Sequence, residues 1–191
     1  MIRAVIFDCF GVIITDALQV VRGELQQFNP EGAREIDELV RAANKGLLAT
    51  GESNERIAAI LGVSVDTYRA RIAAGELKDQ ALLDYILTLR ATYKTALLSN
   101  IPGPSLRRRF SEEELTTYFD VAVATGDIGW AKPEPEAYQY VADALGLRCD
   151  ECLFTDDREL FVEAARSVGM QGVVYTDFTQ FKHAAGEILN C

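Results

Sequence analysis

The sequence is poor in histidine and cysteine, which limits the metal chemistry available to nitrogen and sulfur ligands. One histidine, His183, and four cysteines occur among 191 residues. A structural zinc site needs about four such ligands, and the C-x-x-C pair of Cys149 and Cys152 has no second pair beside it. A redox C-x-x-C usually opens a helix, whereas Cys152 begins an apolar run. We therefore interpret the cysteines as ordinary intracellular thiols.

Excess positive charge and long apolar runs are also missing. The net charge is −10, so no basic surface for nucleic acid is predicted. The one basic run, residues 107–109, precedes three glutamates and is interpreted as a solvated helix end. No apolar run approaches the roughly 18 residues that span a bilayer, and no signal peptide is recognisable. We expect a cytoplasmic protein with no membrane partner, and the sequence carries no signal for an oligomeric state.

Five apolar runs indicate the strands of a parallel sheet. They cover residues 4–7, 96–98, 121–124, 152–154 and 172–175. Each run is nearly continuous rather than alternating, which is typical of strands buried on both faces. Helical patterns over residues 134–145, 158–168 and 178–189 separate or follow the later runs. This alternation predicts an α/β fold with a doubly wound parallel sheet.

A long helical insertion is predicted between the first two strands. Apolar residues at helical spacing form three faces, which contain Ile36, Ile57 and Tyr68. Ser53 is the predicted N-cap of the second of these helices, and Gly75 bounds the third. We therefore predict a sheet domain of residues 1–14 and 79–191, and a helical domain of residues 15–78.

Polar residues follow four of the predicted strands. They are Asp8, Ser99 with Asn100, Lys132, and Asp156 with Asp157. Ligands of a doubly wound sheet bind beyond the carboxyl ends of its strands, so these side chains are expected on one rim. Each residue alone has a structural interpretation, as a turn residue, a helix cap or a surface lysine. Their order and spacing together favour a catalytic site.

This set of residues suits chemistry on an anionic substrate. Asp8 can attack an electrophilic centre and form a covalent intermediate. Asp8 and Asp156 suit a hard, oxygen-seeking cation such as Mg²⁺. Lys132 can neutralise charge on a transferred group, and Ser99 can donate a hydrogen bond to it.

Four motifs together resemble the haloacid dehalogenase-like (HAD) hydrolases. They are residues 6–12 (IFDCFGV), 97–100 (LLSN), 131–138 (AKPEPEAY) and 154–158 (FTDDR). The resemblance implies a Rossmann-like core, a mobile helical cap inserted after the first motif, and Mg²⁺ held by Asp8, the backbone carbonyl of Phe10, and Asp156. We also assign Asp157 to the metal site, and Asn100 and Gly11 to the substrate site. The activity implied is a phosphatase that acts on a small phosphorylated metabolite.

The sequence departs from the family pattern at Phe10. Phosphatases of the family usually have a second Asp there, which protonates the leaving alcohol and later activates water. Loss of a general acid costs about 10²–10⁴-fold in rate when the leaving group is poor. We therefore expect acyl phosphates and activated aryl phosphates to react far better than alkyl phosphates. Leu160 and Phe161 also stand where the family often has acidic or amide residues, which predicts weaker metal binding.

Two other functions fit parts of the sequence. An aromatic residue at position 10 is typical of 2-haloacid dehalogenases, but these lack the acidic pair Asp156 and Asp157. Their substrate arginine has loose candidates here in Arg22, Arg34 and Arg41. A protein of this fold that has lost turnover and only binds a ligand would also explain Phe10. The retained Asp8, Ser99, Lys132 and Asp156 argue against that reading.

Overall fold

A parallel five-stranded sheet forms the centre of the computed structural model, which describes residues 1–189. The strands are β1 (Ala4–Phe7), β2 (Lys94–Ser99), β3 (Val121–Ala124), β4 (Cys152–Asp156) and β5 (Gln171–Val174). Their order in the sheet is β3-β2-β1-β4-β5, and every neighbouring pair is parallel. The predicted α/β fold and its five strands are confirmed, with β2 and β4 longer than the apolar runs that indicated them.

Helices cover both faces of this sheet. Within residues 1–189 they are α1 (Ala17–Gln26), α2 (Pro30–Asn44), α3 (Thr50–Ile60), α4 (Val65–Gly75), α5 (Gln80–Leu89), α6 (Gly103–Arg109), α7 (Glu112–Tyr118), α8 (Pro135–Ala144), α9 (Glu159–Ser167) and α10 (Phe178–Leu189). Successive residues of a strand point to opposite faces. Val5 and Phe7 accordingly pack in a core that includes residues of α5 and α10. Ala4 and Ile6 pack in the core beneath α8 and α9.

Helices α1 to α4, residues 17–75, are called the helical segment below. They enclose an apolar cluster of their own, built around Ile36, Ile57 and Tyr68. The two chain crossings, which are the connections that lead from the sheet into the helical segment and back, lie side by side. The Thr15 N–H donates to the Leu77 carbonyl at 3.0 Å, and the Asp79 N–H donates to the Ile13 carbonyl at 2.8 Å.

Two details of the predicted helices are corrected by the structure. Ser53 is not an N-cap, because α3 begins at Thr50 and the Ser53 N–H already donates to the Ala49 carbonyl within the helix. Helix α1 was not predicted, although Asp16 accepts a hydrogen bond from the Gln19 N–H at its start.

Helices α6 and α7 follow β2. The basic run of residues 107–109 had indicated only the end of a helix, which is the end of α6, and α7 was not predicted. Their boundary does have a sequence signal, since Ser111 and Glu114 form a capping box at the start of α7. No helix within residues 1–189 is both long enough and apolar enough to cross a membrane.

Candidate active site

The carboxyl ends of the three central strands bring the candidate residues together. β1 lies between β2 and β4 in the sheet, so Asp8 after β1 sits beside Ser99 at the end of β2 and Asp156 at the end of β4. The Asp8 N–H donates to the carbonyl of Thr155, one residue before Asp156, at 2.9 Å. Asp8, Ser99 and Asp156 are all buried.

Lys132 connects two of these carboxylates. Its Nζ donates to Asp8 Oδ1 and to Asp156 Oδ2, each at 2.6 Å. The side chain is 1% exposed, although a lone lysine in a sequence is usually a surface residue. The ammonium also lies 5.1 Å from the centre of the Phe161 ring, so an aromatic face closes the site on that side.

The charge states of this pair follow from burial and proximity. Burial raises the pKa of Asp8 to about 7, while Lys132 opposes the rise and Asp156 adds to it. Burial alone would lower the pKa of Lys132, but Asp156 and Asp8 outweigh it and raise that pKa above its usual range. Lys132 is therefore a permanent cation between two carboxylates.

Asn100 fixes the backbone of Lys132. Its Nδ2 donates to the Lys132 carbonyl at 2.8 Å, and its Oδ1 accepts from the Lys132 N–H at 2.9 Å. Asn100 lines the cavity described below. Because both polar atoms of its side chain are engaged with the main chain, its clearest role in this arrangement is to position Lys132.

Three carboxylates gather at the same place. Oxygen atoms of Asp8, Asp156 and Asp157 lie within 4.8 Å of one another. Burial raises the pKa of Asp157 to about 6, and the neighbouring Asp156 and Asp16 add to the rise. A set of closely spaced carboxylate oxygens matches the preference of Mg²⁺ for oxygen ligands, and a divalent cation would relieve their mutual repulsion.

Gly11 makes room for one of these carboxylates. Its φ is +83°, a conformation that favours glycine. A Cβ atom at this position would lie 2.5 Å from Asp157 Oδ2. Gly11 therefore allows the chain after β1 to turn directly beneath the Asp157 side chain.

The hydroxyl of Ser99 has no hydrogen-bond partner among the atoms of residues 1–189, although it is buried. A buried hydroxyl without a partner costs about 1–3 kcal/mol. Ser99 lines the cavity next to Asp8, so the orphaned hydroxyl is available to a ligand there.

Phe10 is covered by Arg109, which was not among the predicted site residues. The Arg109 guanidinium carbon lies 4.9 Å from the centre of the Phe10 ring. Arg109 also forms a bidentate ion pair with Glu76, with contacts of 2.9 Å from Nε and 2.5 Å from Nη2. The interpretation of the basic run as a solvated helix end holds for Arg107, which pairs with Glu112 at the surface. It is wrong for Arg109, whose side chain is only 20% exposed.

A cavity of about 790 Å³ opens above these residues, between the sheet and the helical segment. Six of the eight predicted site residues line it, namely Asp8, Phe10, Ser99, Asn100, Lys132 and Asp157. The other two, Gly11 and Asp156, contact Asp157 and Lys132. The opposite wall comes from the helical segment and includes Val40, Ile57 and Tyr68. Sequence patterns had identified these three only as helix-face residues.

Known proteins resemble this chain in both sequence and fold. The family profile described as haloacid dehalogenase-like hydrolase matches residues 2–169. A phosphatase of Mycobacterium tuberculosis is 50% identical, but over only 52 residues, which are 27% of this chain and 24% of that protein. A D-ribitol-5-phosphate phosphatase of Bacteroides thetaiotaomicron is 25% identical over 186 residues, covering 90% of each chain.

A crystal structure from Bacteroides thetaiotaomicron shares the fold of this chain. It is a HAD family enzyme in complex with magnesium and inorganic phosphate. The two chains superpose with a TM-score of 0.76 and 23% identity, and the match covers 96% of this chain and 99% of that one.

The Lys132 bridge makes a testable prediction about stability. Lys132→Met removes the cation between two buried carboxylates, and we expect a loss of about 3–5 kcal/mol in the free energy of unfolding at pH 8. Because the folded-state pKa of Asp8 is already raised, and rises further without Lys132, the loss should shrink as the pH falls to 5 and Asp8 is protonated. Urea unfolding in EDTA at both pH values measures it.

Lys45→Met is the matched control for Lys132→Met. Lys45 pairs with Glu134 at 2.6 Å, but both side chains are more than one-third exposed, so its loss should be about 0–1 kcal/mol. An equal loss in the two variants, or a loss in Lys132→Met that does not change with pH, would contradict the assigned charges.

Proposed function

We propose that this chain, which belongs to the haloacid dehalogenase-like hydrolases, is a Mg²⁺-dependent phosphatase. It acts on a small phosphorylated metabolite through an aspartyl-phosphate at Asp8. The observation that carries this proposal is the Asp8 carboxylate, held by Lys132 beside Asp156 and Asp157 at the floor of a cavity. Relatives named as phosphatases support the same reaction class.

Asp8 is the proposed nucleophile. Lys132 binds Oδ1, so Oδ2 is the oxygen that attacks phosphorus. The Oδ2–P bond forms, the bond between phosphorus and the leaving oxygen breaks, and the leaving oxygen keeps the electron pair. Water then attacks the aspartyl-phosphate, which releases inorganic phosphate and regenerates Asp8.

Ser99 and Lys132 act on the transferred phosphoryl group. The unpartnered Ser99 hydroxyl donates to one of its oxygens, and this satisfies a buried polar atom only when substrate is bound. Lys132 keeps its positive charge throughout, because Asp8 and Asp156 stabilise the protonated form. Asn100 holds the Lys132 backbone so that this charge stays in place.

The three carboxylates and the backbone carbonyl of Phe10 would hold Mg²⁺. When bound, the cation supplies positive charge that offsets the repulsion between a carboxylate nucleophile and a phosphate. The role of Gly11 in this proposal is indirect, since it leaves space for the Asp157 carboxylate.

The helical segment is proposed as the cap of the site, with residues 15–78 as the cap domain. It supplies one wall of the cavity. Three ion pairs within residues 1–189 join the cap to the sheet domain: Arg109 with Glu76, Lys45 with Glu134, and Lys78 with Glu114. Closure of such a cap excludes water from the reacting groups.

The first test asks whether Asp8 is the nucleophile. Purified protein should release phosphate from an activated aryl phosphate in the presence of Mg²⁺ and not in EDTA. Asp8→Asn should abolish the reaction, because an amide cannot form the covalent intermediate. Asp66→Asn, an exposed position on α4, is the matched control and should retain full activity. Activity that survives in Asp8→Asn would refute the mechanism.

The second test concerns the missing acid. Phe10→Asp should raise kcat/KM for an alkyl phosphate by about tenfold or more, because the leaving alkoxide can then be protonated. The gain on the activated aryl phosphate should be much smaller. Phe28→Asp, at a position 76% exposed, is the control. Equal efficiency of the unchanged protein on alkyl and aryl phosphates would argue against the role of Phe10.

The third test concerns the cation and does not require turnover. Gly11→Ala places a methyl group against the Asp157 carboxylate, so we expect Mg²⁺ to bind about 10-fold more weakly. Thermal unfolding against Mg²⁺ concentration measures this affinity. Gly46→Ala is matched in backbone strain, since its φ is +71° with open space around it. A similar change in affinity for both variants would remove Asp157 from the metal site.

Dehalogenation is the second candidate, and the observation in its favour is Phe10. Halide release from 2-chloropropionate in EDTA would support it. The acidic cluster of Asp8, Asp156 and Asp157 argues against it, because three carboxylates this close favour a bound cation, and a metal-independent reaction does not use one. If no substrate is turned over, and a ligand nevertheless raises the unfolding temperature, the protein would instead be a binding protein.

A further inference from the structure

We propose that the substrate carries a second anionic group on its leaving side, bound by Arg69, Arg108 and Arg158. This inference rests on the proposed phosphatase function and adds the substrate class. The group is a phosphate or a carboxylate, which present the same chemistry to a guanidinium.

The lining of the cavity is much less acidic than the protein as a whole. Five cationic and four anionic side chains line the cavity, whereas the whole chain has a net charge of −10. Two of the cations are already engaged, since Lys132 binds Asp8 and Asp156, and Arg109 binds Glu76. The other three are Arg69, Arg108 and Arg158.

These three arginines are unusual because none of them forms an ion pair within the described part of the chain. Nine of the fourteen arginines form an ion pair within residues 1–189. Three of the remaining five line this one cavity. Each carboxylate that lines the cavity has another contact: Glu76 pairs with Arg109, Asp16 caps α1, and Asp8 and Asp157 belong to the acidic cluster. Arg158 lies close enough to Asp16 to oppose the rise in the pKa of that carboxyl, but it forms no ion pair with it.

Neighbouring groups orient two of the three guanidiniums. Arg108 Nη2 donates to the hydroxyl of Ser105 at 2.7 Å, and Ser105 is buried in the cavity wall. The Arg158 guanidinium carbon lies 4.3 Å from the centre of the Phe161 ring, which also lines the cavity. Arg69 follows the buried Tyr68 on α4, so the helical segment contributes one cation and the sheet domain contributes two.

The absence of an acid at Phe10 explains why positive charge near the leaving group would assist the reaction. Without an acid at this position, the leaving oxygen departs with its electron pair and without a proton. The P–O bond therefore breaks most readily when the departing group is a stable anion, and fixed positive charge on the leaving side stabilises such an anion. A terminal phosphate of a phosphoanhydride meets both requirements, and so does an acyl or aryl phosphate whose leaving group also carries a carboxylate.

The dimensions and the other walls of the cavity agree with a small molecule. Its volume of about 790 Å³ lies in the range of roughly 300–1,000 Å³ that is usual for small-molecule sites. Apolar side chains of the helical segment, including Leu18, Val40 and Ile72, line the remaining wall. They fit an apolar body between the two anionic groups.

A pair of probes tests the second charge directly. The compounds 4-carboxyphenyl phosphate and 4-carbamoylphenyl phosphate share a ring and differ by one negative charge. We expect kcat/KM to be about tenfold or more higher for the carboxylate, as one charged hydrogen bond would give. Phenyl diphosphate, compared with phenyl phosphate, forms the phosphate arm and shows which anion the site prefers.

Variants identify the residues responsible. Arg108→Met and Arg69→Met should each bring the ratio between the two probes toward one, because each lowers kcat/KM for the carboxylate probe more than for the carbamoyl probe. Arg34→Met is the matched control, because Arg34 is exposed and unpaired but does not line the cavity, and it should keep the ratio. A ratio near one in the unchanged protein, or an equal fall in Arg34→Met, overturns the proposal.

Binding separates this inference from the proposed reaction. If neither probe is hydrolysed, the phosphatase proposal fails, and the dissociation constants of the two probes for the intact protein decide the second. Tighter binding of 4-carboxyphenyl phosphate that is lost in Arg108→Met supports the anion site. Equal dissociation constants for both probes reject it.

Discussion

The contact of one ammonium with two buried carboxylates organises this protein. Lys132 binds Asp8 and Asp156 at 2.6 Å each, and so links the ends of β1 and β4 to the loop that follows β3. Two carboxylates this close would repel each other strongly in a buried site without a cation between them. The adjacency of β1 and β4 in the sheet, the main-chain clamp by Asn100 and the burial of Lys132 all depend on this contact or maintain it.

The distribution of charge above that contact divides the site into two parts. The floor holds carboxylates whose repulsion a cation relieves, while the upper walls hold guanidiniums that form no ion pair within residues 1–189. Phe10 lines the same cavity and offers no proton, with Arg109 stacked on its ring. The arrangement favours a reaction in which negative charge moves from the transferred group to a departing anion, and it disfavours one that needs a proton at the same point.

The floor of the site could be predicted from the sequence, whereas its walls could not. Asp8, Ser99 and Asp156 follow buried strands, so parallel pairing alone brings them to one edge of the sheet. Lys132 was recognisable from its motif. Arg109 and Glu76 carry no such signal, because they meet only when α6 and the end of α4 pack against the first loop. Ser53 shows the same limit on a smaller scale: its residue type suits a cap, but the N-cap of α3 is Ala49, four residues earlier.

The two chain crossings between the sheet and the helical segment lie side by side, joined by hydrogen bonds of Thr15 to Leu77 and of Asp79 to Ile13. A segment that enters and leaves at one point behaves as a replaceable module. Changes within α1 to α4 can reshape the wall that meets the body of a ligand without altering the strands that carry Asp8, the proposed nucleophile. Ligand preference and bond-breaking chemistry can therefore evolve at separate rates in such a chain.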